Sequence, residues 1–568
     1  MKLLLTTLHS RYSHASLALP SIAAVIGNSD GMETIIREYT VNERPEILLD
    51  RLVAEDADIV AFSCYIWNIE LTLRLAAELK LINPSLFIIL GGPEVSFGCH
   101  ALLTGNPQVD LIVRGEGELA MAELARLLSS CGESGVRDDQ LMAIDGISFR
   151  SGDELISSPD RSAARLDDLP SPFAAGLVDI AKPLVYLETS RGCPFSCAFC
   201  LSSTERTVRI LADTRIESDL LLLMQTGVAT IKFVDRTFNF DASRANRIWR
   251  FILANNVSSR FHFEIAADLL TDENLELLAT VPPDTFRFEI GVQSAAADTL
   301  AAVSRKSDLD RLFANVRRLK EETAVTLHLD LVAGLPGEDY AGFSASLGLL
   351  LAAKPHHIQV EPLKMLKGTE LRNRAAELGY RFSPFPPYRI LETRWLTYTE
   401  LGLIERCSQL LEEVYNSGRF PVTLEILDQL GLAGSFFSGQ IKPLKTGGGS
   451  IGGLFQLLAE EFRERFPEQA ERLIDGLKYD YCMLGYPGSS LPDFIGSPLS
   501  DEPQKADLRE MAEYLGFSKG ERFRSFSARF IRNYTAADWP PGSVEIAFIY
   551  RRGASGEQVI SLCNCLPR

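Results

Sequence analysis

Residues 184–200 read LVYLETSRGCPFSCAFC, and this stretch decides the fold. Its first half is a short apolar run that reads as a strand. Its second half carries Cys193, Cys197 and Cys200 at C-x3-C-x2-C spacing. Three thiolates in one loop can hold three irons of a four-iron cluster and leave the fourth iron open to a substrate or cosubstrate. A fourth cysteine would close the cluster to everything but electron transfer. Structural zinc wants four ligands, commonly as C-x2-C pairs, and neither a second pair nor an H-x3–5-H follows nearby. Disulfide pairing would need a secreted context, which nothing in the chain suggests.

From residue 184 to about 371 a βα series follows. Strands fit at 184–189, 230–234, 260–265, 285–290, 325–332 and 357–363. The spacing leaves room for a crossover helix each time. Six such units make a partial (β/α)6 barrel, whose site lies at the carboxyl ends of the strands. Polar residues gather there: Glu188, Asp235, Glu264 with Asp268, Gln293 with Ser294, Asp330 and Glu361. A charged group in an apolar strand is costly unless paired or liganded. Most of these are therefore expected to face one cavity, the rest being partners of Arg236, Arg287 or Lys364.

The cysteine loop, with Phe199 before its third cysteine and an apolar strand before the loop, resembles the radical S-adenosylmethionine (radical SAM) enzymes. The resemblance implies that Cys193, Cys197 and Cys200 hold a 4Fe-4S cluster and that the open iron chelates the amino and carboxylate groups of SAM. An electron from the cluster would then cleave SAM to a 5′-deoxyadenosyl radical. The likeness continues along the strands. FVDRTFN (233–239) resembles the segment that meets the SAM amino group, which implicates Asp235. EIGVQS (289–294) resembles the segment near the SAM ribose and carboxylate, which implicates Gln293 and Ser294. DLVAGLPGE (330–338) resembles the turn near adenine, which implicates Asp330, and EPLKMLKGTE (361–370) resembles the sixth-strand loop. Phe199, Glu264 and Arg287 are further contacts on the same grounds. No single catalytic residue is assigned.

Residues 1–140 alternate strands, at 2–8, 34–39, 58–65, 87–90 and 110–113, with helical stretches such as 70–81. This is the pattern of a doubly wound, Rossmann- or flavodoxin-like parallel sheet, which binds ligands past its carboxyl edge. Ser63, Gly91-Gly92-Pro93-Glu94 and Arg114-Gly-Glu-Gly-Glu118 stand at three such ends. Glycines there let a bulky ligand approach the backbone. Placed before a radical SAM-like core, the segment resembles cobalamin-binding domains. That resemblance implies that Ser63, Gly91, Gly92 and Glu116 lie against the corrinoid. Many such domains supply a cobalt-ligating histidine from D-x-H-x-x-G, but none of the seven histidines here has Asp two places before it. The lower face of the cobalt is expected to lack that ligand, and His9, His14, Tyr65 and Trp67 are the side chains that could stand near it.

The chain of 568 residues is too long for one core. Four segments are expected: a cobalamin-binding domain at 1–140, a linker at 141–182, a radical SAM domain at 183–375 and a mainly helical domain at 376–568. The last resembles an uncharacterised domain found after some cobalamin-dependent radical SAM proteins. Its role is open, as is that of Cys563 and Cys565, which read as part of a mobile tail. The glycine-rich stretch 446–453 reads as a flexible break. With 57 basic against 75 acidic residues, the net charge of −18 argues against a nucleic-acid-binding surface. No apolar run is long enough to span a membrane. Ten cysteines without a disulfide-framework spacing fit a reducing cytoplasm.

These readings imply a cobalamin-dependent radical SAM methyltransferase that acts on an unactivated carbon of a small-molecule or peptide substrate. It would draw electrons from a reducing partner such as flavodoxin or ferredoxin. Two other readings stay open. The same cofactors could drive rearrangement, cyclisation or oxidation without methyl transfer, or the chain could be a non-catalytic iron–sulfur redox sensor. A methylthiotransferase would carry extra N-terminal cluster cysteines, a set that Cys64 and Cys99 do not form.

Overall fold

The first 160 residues build a seven-stranded sheet in a computed structural model of the chain. The structure describes all residues except 12–13, 28–30, 132–135, 440–450, 486, 488–490, 496–522, 553–557 and 566–568. The sheet strands are β1 (Lys2–His9), β2 (Glu33–Thr40), β3 (Ile59–Ser63), β4 (Phe87–Gly91), β5 (Leu111–Val113), β6 (Ile147–Ser151) and β7 (Glu154–Ser157). They run in the order β2-β1-β3-β4-β5-β6-β7. The first five are parallel, and β6 and β7 add an antiparallel edge. The sheet thus takes in a hairpin that the sequence reading left in the linker, because Phe149 and Ile147 complete its apolar face.

Alternation along the strands explains the two cores. Leu3, Leu5, Ile59, Ala61 and Ile89 pack on one face with residues of the helices Ala18–Ile26 and Glu118–Cys131. Leu4, Val60, Phe62, Ile88 and Leu90 pack on the other with Pro45–Ala54 and Ile69–Ile82. Strands buried on both faces by crossover helices are the mark of a doubly wound sheet.

The second sheet begins at β8 (Leu184–Leu187). A small hairpin follows, β9 (Ser190–Arg191) against β10 (Arg209–Ile210). Then come β11 (Thr230–Phe233), β12 (Arg260–Ile265), β13 (Phe286–Gln293) and β14 (Thr326–Ala333), all parallel, in the order β8-β11-β12-β13-β14. One face is aromatic: Phe233 stacks on Phe263 at 4.5 Å, and Trp249, from the helix Ala242–Asn255, lies 5.6 Å from Phe288. The other face carries Tyr186, Lys232, His262, Glu264, Glu289 and Asp330, the alternate residues of the same strands. Asp241 caps the helix Ala242–Asn255 by accepting from Arg244 N, which fixes the turn out of β11.

By packing, the chain divides into two units, residues 1–339 with 362–398 and residues 340–361 with 399–568. The sixth expected strand, β15 (His357–Pro362), falls in the second unit but for its last residue. So does the helix before it, Tyr340–Ala352, which packs against the helix Ala433–Ser438. Tyr340 donates to Ser438 O, Tyr415 to Pro355 O at 2.7 Å, and Ile358 N to Asn416 Oδ1 at 2.9 Å.

Two short strands of the first unit pair antiparallel, β16 (Arg381–Phe382) and β17 (Ile390–Glu392), so the mainly helical pattern expected from residue 376 starts only at Tyr398. The helices Pro421–Gln429, Ile451–Arg465 and Ala470–Leu484 fill the second unit. It also holds an antiparallel sheet of β18 (Phe523–Arg532), β19 (Pro541–Arg552) and β20 (Gln558–Cys565). The C-terminal region is thus helical for most of its described length and ends in a sheet that the sequence reading did not anticipate. The backbone of Cys563 and Cys565 belongs to a strand rather than to a loose tail. Residues 446–450 of the glycine-rich stretch lie outside the described residues, and 451–453 open a helix.

Candidate functional site

The cysteine loop is fixed at both ends by backbone. Arg191 of β9 stands opposite Arg209 of β10, and Cys193 N donates to Glu205 O at 3.1 Å. Gly192, at φ +98°, is required there, since a Cβ would lie 2.3 Å from Thr207 O. Charges clamp the same hairpin. Arg191 pairs with Glu188 at 2.7 Å, Glu118 at 2.8 Å and Glu116 at 3.3 Å, and Arg209 pairs with Glu116 and with Glu205 at 2.5 Å. Further along, Ala198 N donates to Val303 O at 2.9 Å, and Ala198 O accepts from Leu371 N at 2.8 Å.

Cys193, Cys197 and Cys200 are free thiols that line one cavity with Phe199, Glu264, Gln293 and Asp330. Among the described residues no three metal-ligating side chains converge on a single ion. A four-iron cluster needs no such convergence, since each thiolate takes its own iron. Arg305 reaches the loop with Nη1 3.7 Å from Cys197 Sγ, donates to Gly291 O, and lies 5.8 Å from the Phe195 ring. A bulge in β13 between Gly291 and Gln293 aims Gln293 into the cavity at φ +69°. A Cβ at Gly291 would fall 2.2 Å from Gln293 Nε2, so a side chain there would displace the Gln293 amide. Gln293 Oε1 and Arg305 Nε are buried and have no hydrogen-bond partner among the described residues. An acceptor and a donor left open beside three thiols fit a polar ligand with both an amine and a carboxylate.

Three carboxylates line the cavity, in different states. Burial pushes the Glu264 carboxyl up to about 7, against the pull of Arg236 and Lys232, each 3.9 Å away. Burial also acts on Glu289, but His262 at 2.8 Å and Lys232 at 2.9 Å outweigh it and hold that carboxyl well below the usual range. Burial raises Asp330 in spite of His328 at 3.0 Å. Glu289 is therefore a fixed anion, whereas Glu264 exchanges its proton near neutrality.

Other expected site residues are engaged elsewhere. Asp235 is fully buried and accepts from Thr189 N at 3.0 Å, Thr189 Oγ1 at 2.6 Å and Ser190 Oγ. Ser294 donates to Glu338 Oε1 at 2.6 Å, and Asp268 accepts from Asp308 N at 3.0 Å. Glu188 and Glu116 belong to the clamp, and Glu361 to the second unit. Of the strand-end polar residues, Glu264, Gln293 and Asp330 line one cavity, Asp235 and Asp268 hold backbone, and Glu188 and Ser294 are engaged by the Arg191 and Glu338 side chains. Arg305 and Glu289 were not singled out from sequence. Glu289 had a signal, because the period of β13 puts it on the face of Gln293. Arg305 had none, lying beyond the helix Ala297–Ala302.

On the first sheet, Ser63 O accepts from Thr7 Oγ1 and Asn68 Nδ2, closing the end of β3. Gly91 O accepts from Cys64 N at 2.7 Å. Gly92, at φ +100°, lies so close to Cys64 that a Cβ would stand 2.6 Å from its carbonyl oxygen. Gly98 and Gly115, both at positive φ, have open space where a Cβ would stand. Of the side chains weighed for the cobalt face, His9 pairs with Glu38 at 2.7 Å and His14 with Tyr186 at 3.2 Å. Tyr65 and Trp67 stack at 4.4 Å, and Trp67 is 46 % exposed.

Comparisons with known proteins agree with this layout. The B12 binding domain matches residues 4–125, the radical SAM superfamily matches 187–350, and a protein family of unknown function, DUF4080, matches 376–533. The chain is 29 % identical over 369 residues to the cobalamin-dependent radical SAM methyltransferase TokK of Streptomyces tokunonensis, covering 58 % of this chain and 50 % of TokK. It is 26 % identical over 265 residues to the anaerobic magnesium-protoporphyrin IX monomethyl ester cyclase of Synechocystis sp., covering 45 % of this chain and 51 % of the cyclase. The chain thus spans about half the length of these curated relatives. Among solved structures, the cobalamin-dependent SAM radical enzyme OxsB with aqua-cobalamin bound shares the fold at TM-score 0.59 and 17 % identity, covering 91 % of this chain and 75 % of OxsB. The matched families make cobalamin the cofactor of the first domain, and a 4Fe-4S cluster with SAM the cofactors of the second. No described helix is long and apolar enough to cross a membrane. The chain thus carries, in order, a segment that matches the B12 binding domain, one that matches the radical SAM superfamily and one that matches DUF4080.

Proposed function

We propose that the chain is a cobalamin-dependent radical SAM methyltransferase acting on an unactivated carbon of a small organic or peptide substrate. The observation that carries this reading is one cavity that joins three free thiols to the open atoms of Gln293 and Arg305, in a chain with a B12-binding domain. Bound there, the cluster and SAM supply an organic radical and cobalamin supplies the methyl group. Cys193, Cys197 and Cys200 hold the cluster. Gln293 Oε1 accepts from an amine and Arg305 Nε donates to a carboxylate, which matches the amino-acid end of SAM. Phe199, Glu264 and Asp330 wall the same ligand, and Glu264 takes or returns a proton near neutral pH. Asp235 and Ser294 act one step back, by holding the backbone that carries these groups. Ser63, Gly91 and Gly92 frame the corrinoid, and Glu116 steadies the cluster hairpin.

The working division is a cobalamin-binding domain at 1–140, a linker at 141–182, a radical SAM domain at 183–375 and a mainly helical domain of open role at 376–568. A flavodoxin- or ferredoxin-like protein supplies the electron. The eight cysteines whose side chains are described are free, which suits a reducing cytoplasm.

The test is anaerobic reconstitution with iron, sulfide, cobalamin and SAM, followed by reduction and product analysis. The reading expects both 5′-deoxyadenosine and S-adenosylhomocysteine, and a Cys197→Ala protein that forms neither. 5′-Deoxyadenosine without S-adenosylhomocysteine would move the chain to radical chemistry without methyl transfer, the outcome that the likeness to the cyclase supports. Neither product from the wild-type protein would remove both enzyme readings and leave the redox sensor.

A further inference from the structure

The loop after β4 is joined to the cysteine loop by a continuous set of contacts inside the first unit. Gly91 and Gly92 are followed by Pro93 and Glu94, and Glu94 is 3 % exposed. Its Oε1 accepts from the Tyr388 hydroxyl and pairs with Lys367 Nζ at 2.8 Å. Tyr388 is held on its ring face by Lys367 at 5.6 Å and by Arg372 at 4.4 Å. It sits at φ +58°, a conformation that a tyrosine keeps only when its surroundings impose it. Three residues beyond Glu94, Phe97 packs on Gly368 so closely that a Cβ there would fall 2.5 Å from the ring. Leu371, three residues after Gly368, donates its N–H to Ala198 O at 2.8 Å. Ala198 lies between Cys197 and Phe199. A buried, paired charge thus connects the loop expected to frame the corrinoid with the loop expected to hold the cluster.

We infer that Glu94 is a positioning residue which, through Tyr388 and Lys367, couples occupancy of the cobalamin site to binding of SAM at the cluster. The inference rests on the cofactor assignment above. Neither ligand touches the other's loop in this scheme. Each settles its own loop, and the Glu94 contacts pass the constraint across the 364–371 segment. Linkage then requires reciprocity: cobalamin changes SAM affinity by the same factor as SAM changes cobalamin affinity.

The experiment is equilibrium dialysis of the full-length protein, reconstituted with its cluster and kept oxidised so that SAM is not consumed. SAM binding is measured with and without saturating hydroxocobalamin, and hydroxocobalamin binding with and without SAM. Wild type is expected to show the same factor in both directions, about fivefold or more. Glu94→Gln and Lys367→Met are expected to lower the melting temperature by several degrees, as loss of a buried pair does, and to bring both factors to about one while each ligand alone still binds. A purely structural role would lower the melting temperature and leave the factor in place. Tyr388→Phe, which deletes one hydroxyl, carries the test if the charge variants do not fold. A factor of about one in wild type overturns the inference, as does a wild-type factor in folded variants. Failure of the wild-type protein to bind either ligand alone would instead overturn the cofactor assignment.

Discussion

Asp235→Ala is expected to loosen the cysteine loop from behind. The carboxylate is fully buried, accepts three hydrogen bonds from Thr189 and Ser190, and faces Arg244 at 3.6 Å. Arg244 is itself 2 % exposed and donates to Thr189 O at 3.1 Å and to Thr189 Oγ1. Hydrogen bonds to a charged group are worth about 1.5–3 kcal/mol each, but these share one network and do not add. Removing one member of a buried ion pair leaves the other uncompensated, at about 3–5 kcal/mol. That term sets the expected loss. In a folding unit of 150–250 residues each kcal/mol moves the melting temperature by about 2–4 °C, so a fall of about 10 °C is expected. Asp235→Asn keeps the shape and one acceptor and should lose less. Calorimetry of the cluster-free protein reads the stability, and iron per chain after reconstitution reads the loop, since Ser190 directly precedes Arg191. A melting temperature within about 2 °C of wild type, with SAM affinity abolished, would refute the reasoning. The carboxylate would then serve a ligand and not the backbone.

Two further outcomes are expected. Gly92→Ala forces a Cβ to 2.6 Å from Cys64 O and holds alanine at φ +100°, where the strain alone is about 1–2 kcal/mol. The first sheet should lose stability, and the corrinoid absorbance of the reconstituted protein should fall; unchanged corrinoid content would show that the β3–β4 approach does not shape that site. Burial raises the folded Glu264 carboxyl to about 7 from its ordinary 4.5, so the folded state holds a proton in that window that the unfolded state has released. Its contribution is complete below about pH 4.5 and is lost as pH rises through 7. The melting temperature of wild type should therefore drop from pH 5 to 8 by more than that of Glu264→Gln, and equal drops would contradict the burial argument.

Much of the fold was legible because both sheets obey a period of two. Fully apolar strands such as IVAFS and FIILG announced a sheet covered on both faces. The cysteine spacing then located the cavity, and Gln293, Glu264 and Asp330 came with it. What sequence could not separate was a carboxylate that faces a ligand from one that faces backbone. Asp235 and Glu264 both sit at strand ends, yet Thr189 and Ser190 capture one and the cavity keeps the other. Glu116 stands in a glycine-rich loop suited to a ligand, and only the fold brings Arg209 to it. Arg305 became visible only when the chain returned it to Cys197 over 108 residues. The C-terminal sheet did leave a trace in the alternation of Phe526, Ala528 and Phe530.

The packing of residues 340–361 with the C-terminal unit has a consequence for how the chain is made. The radical SAM match ends at residue 350 and the DUF4080 match begins at 376, yet the helix Tyr340–Ala352 finds its cover in Ala433–Ser438. Tyr340 leaves the ribosome 98 residues ahead of Ser438. At about 5–20 residues per second, that helix waits about 5–20 s for its partner. The sixth βα unit is therefore completed by sequence translated well after it. A cut of this chain at residue 376 would remove Ala433–Ser438 and leave the helix Tyr340–Ala352 without that cover.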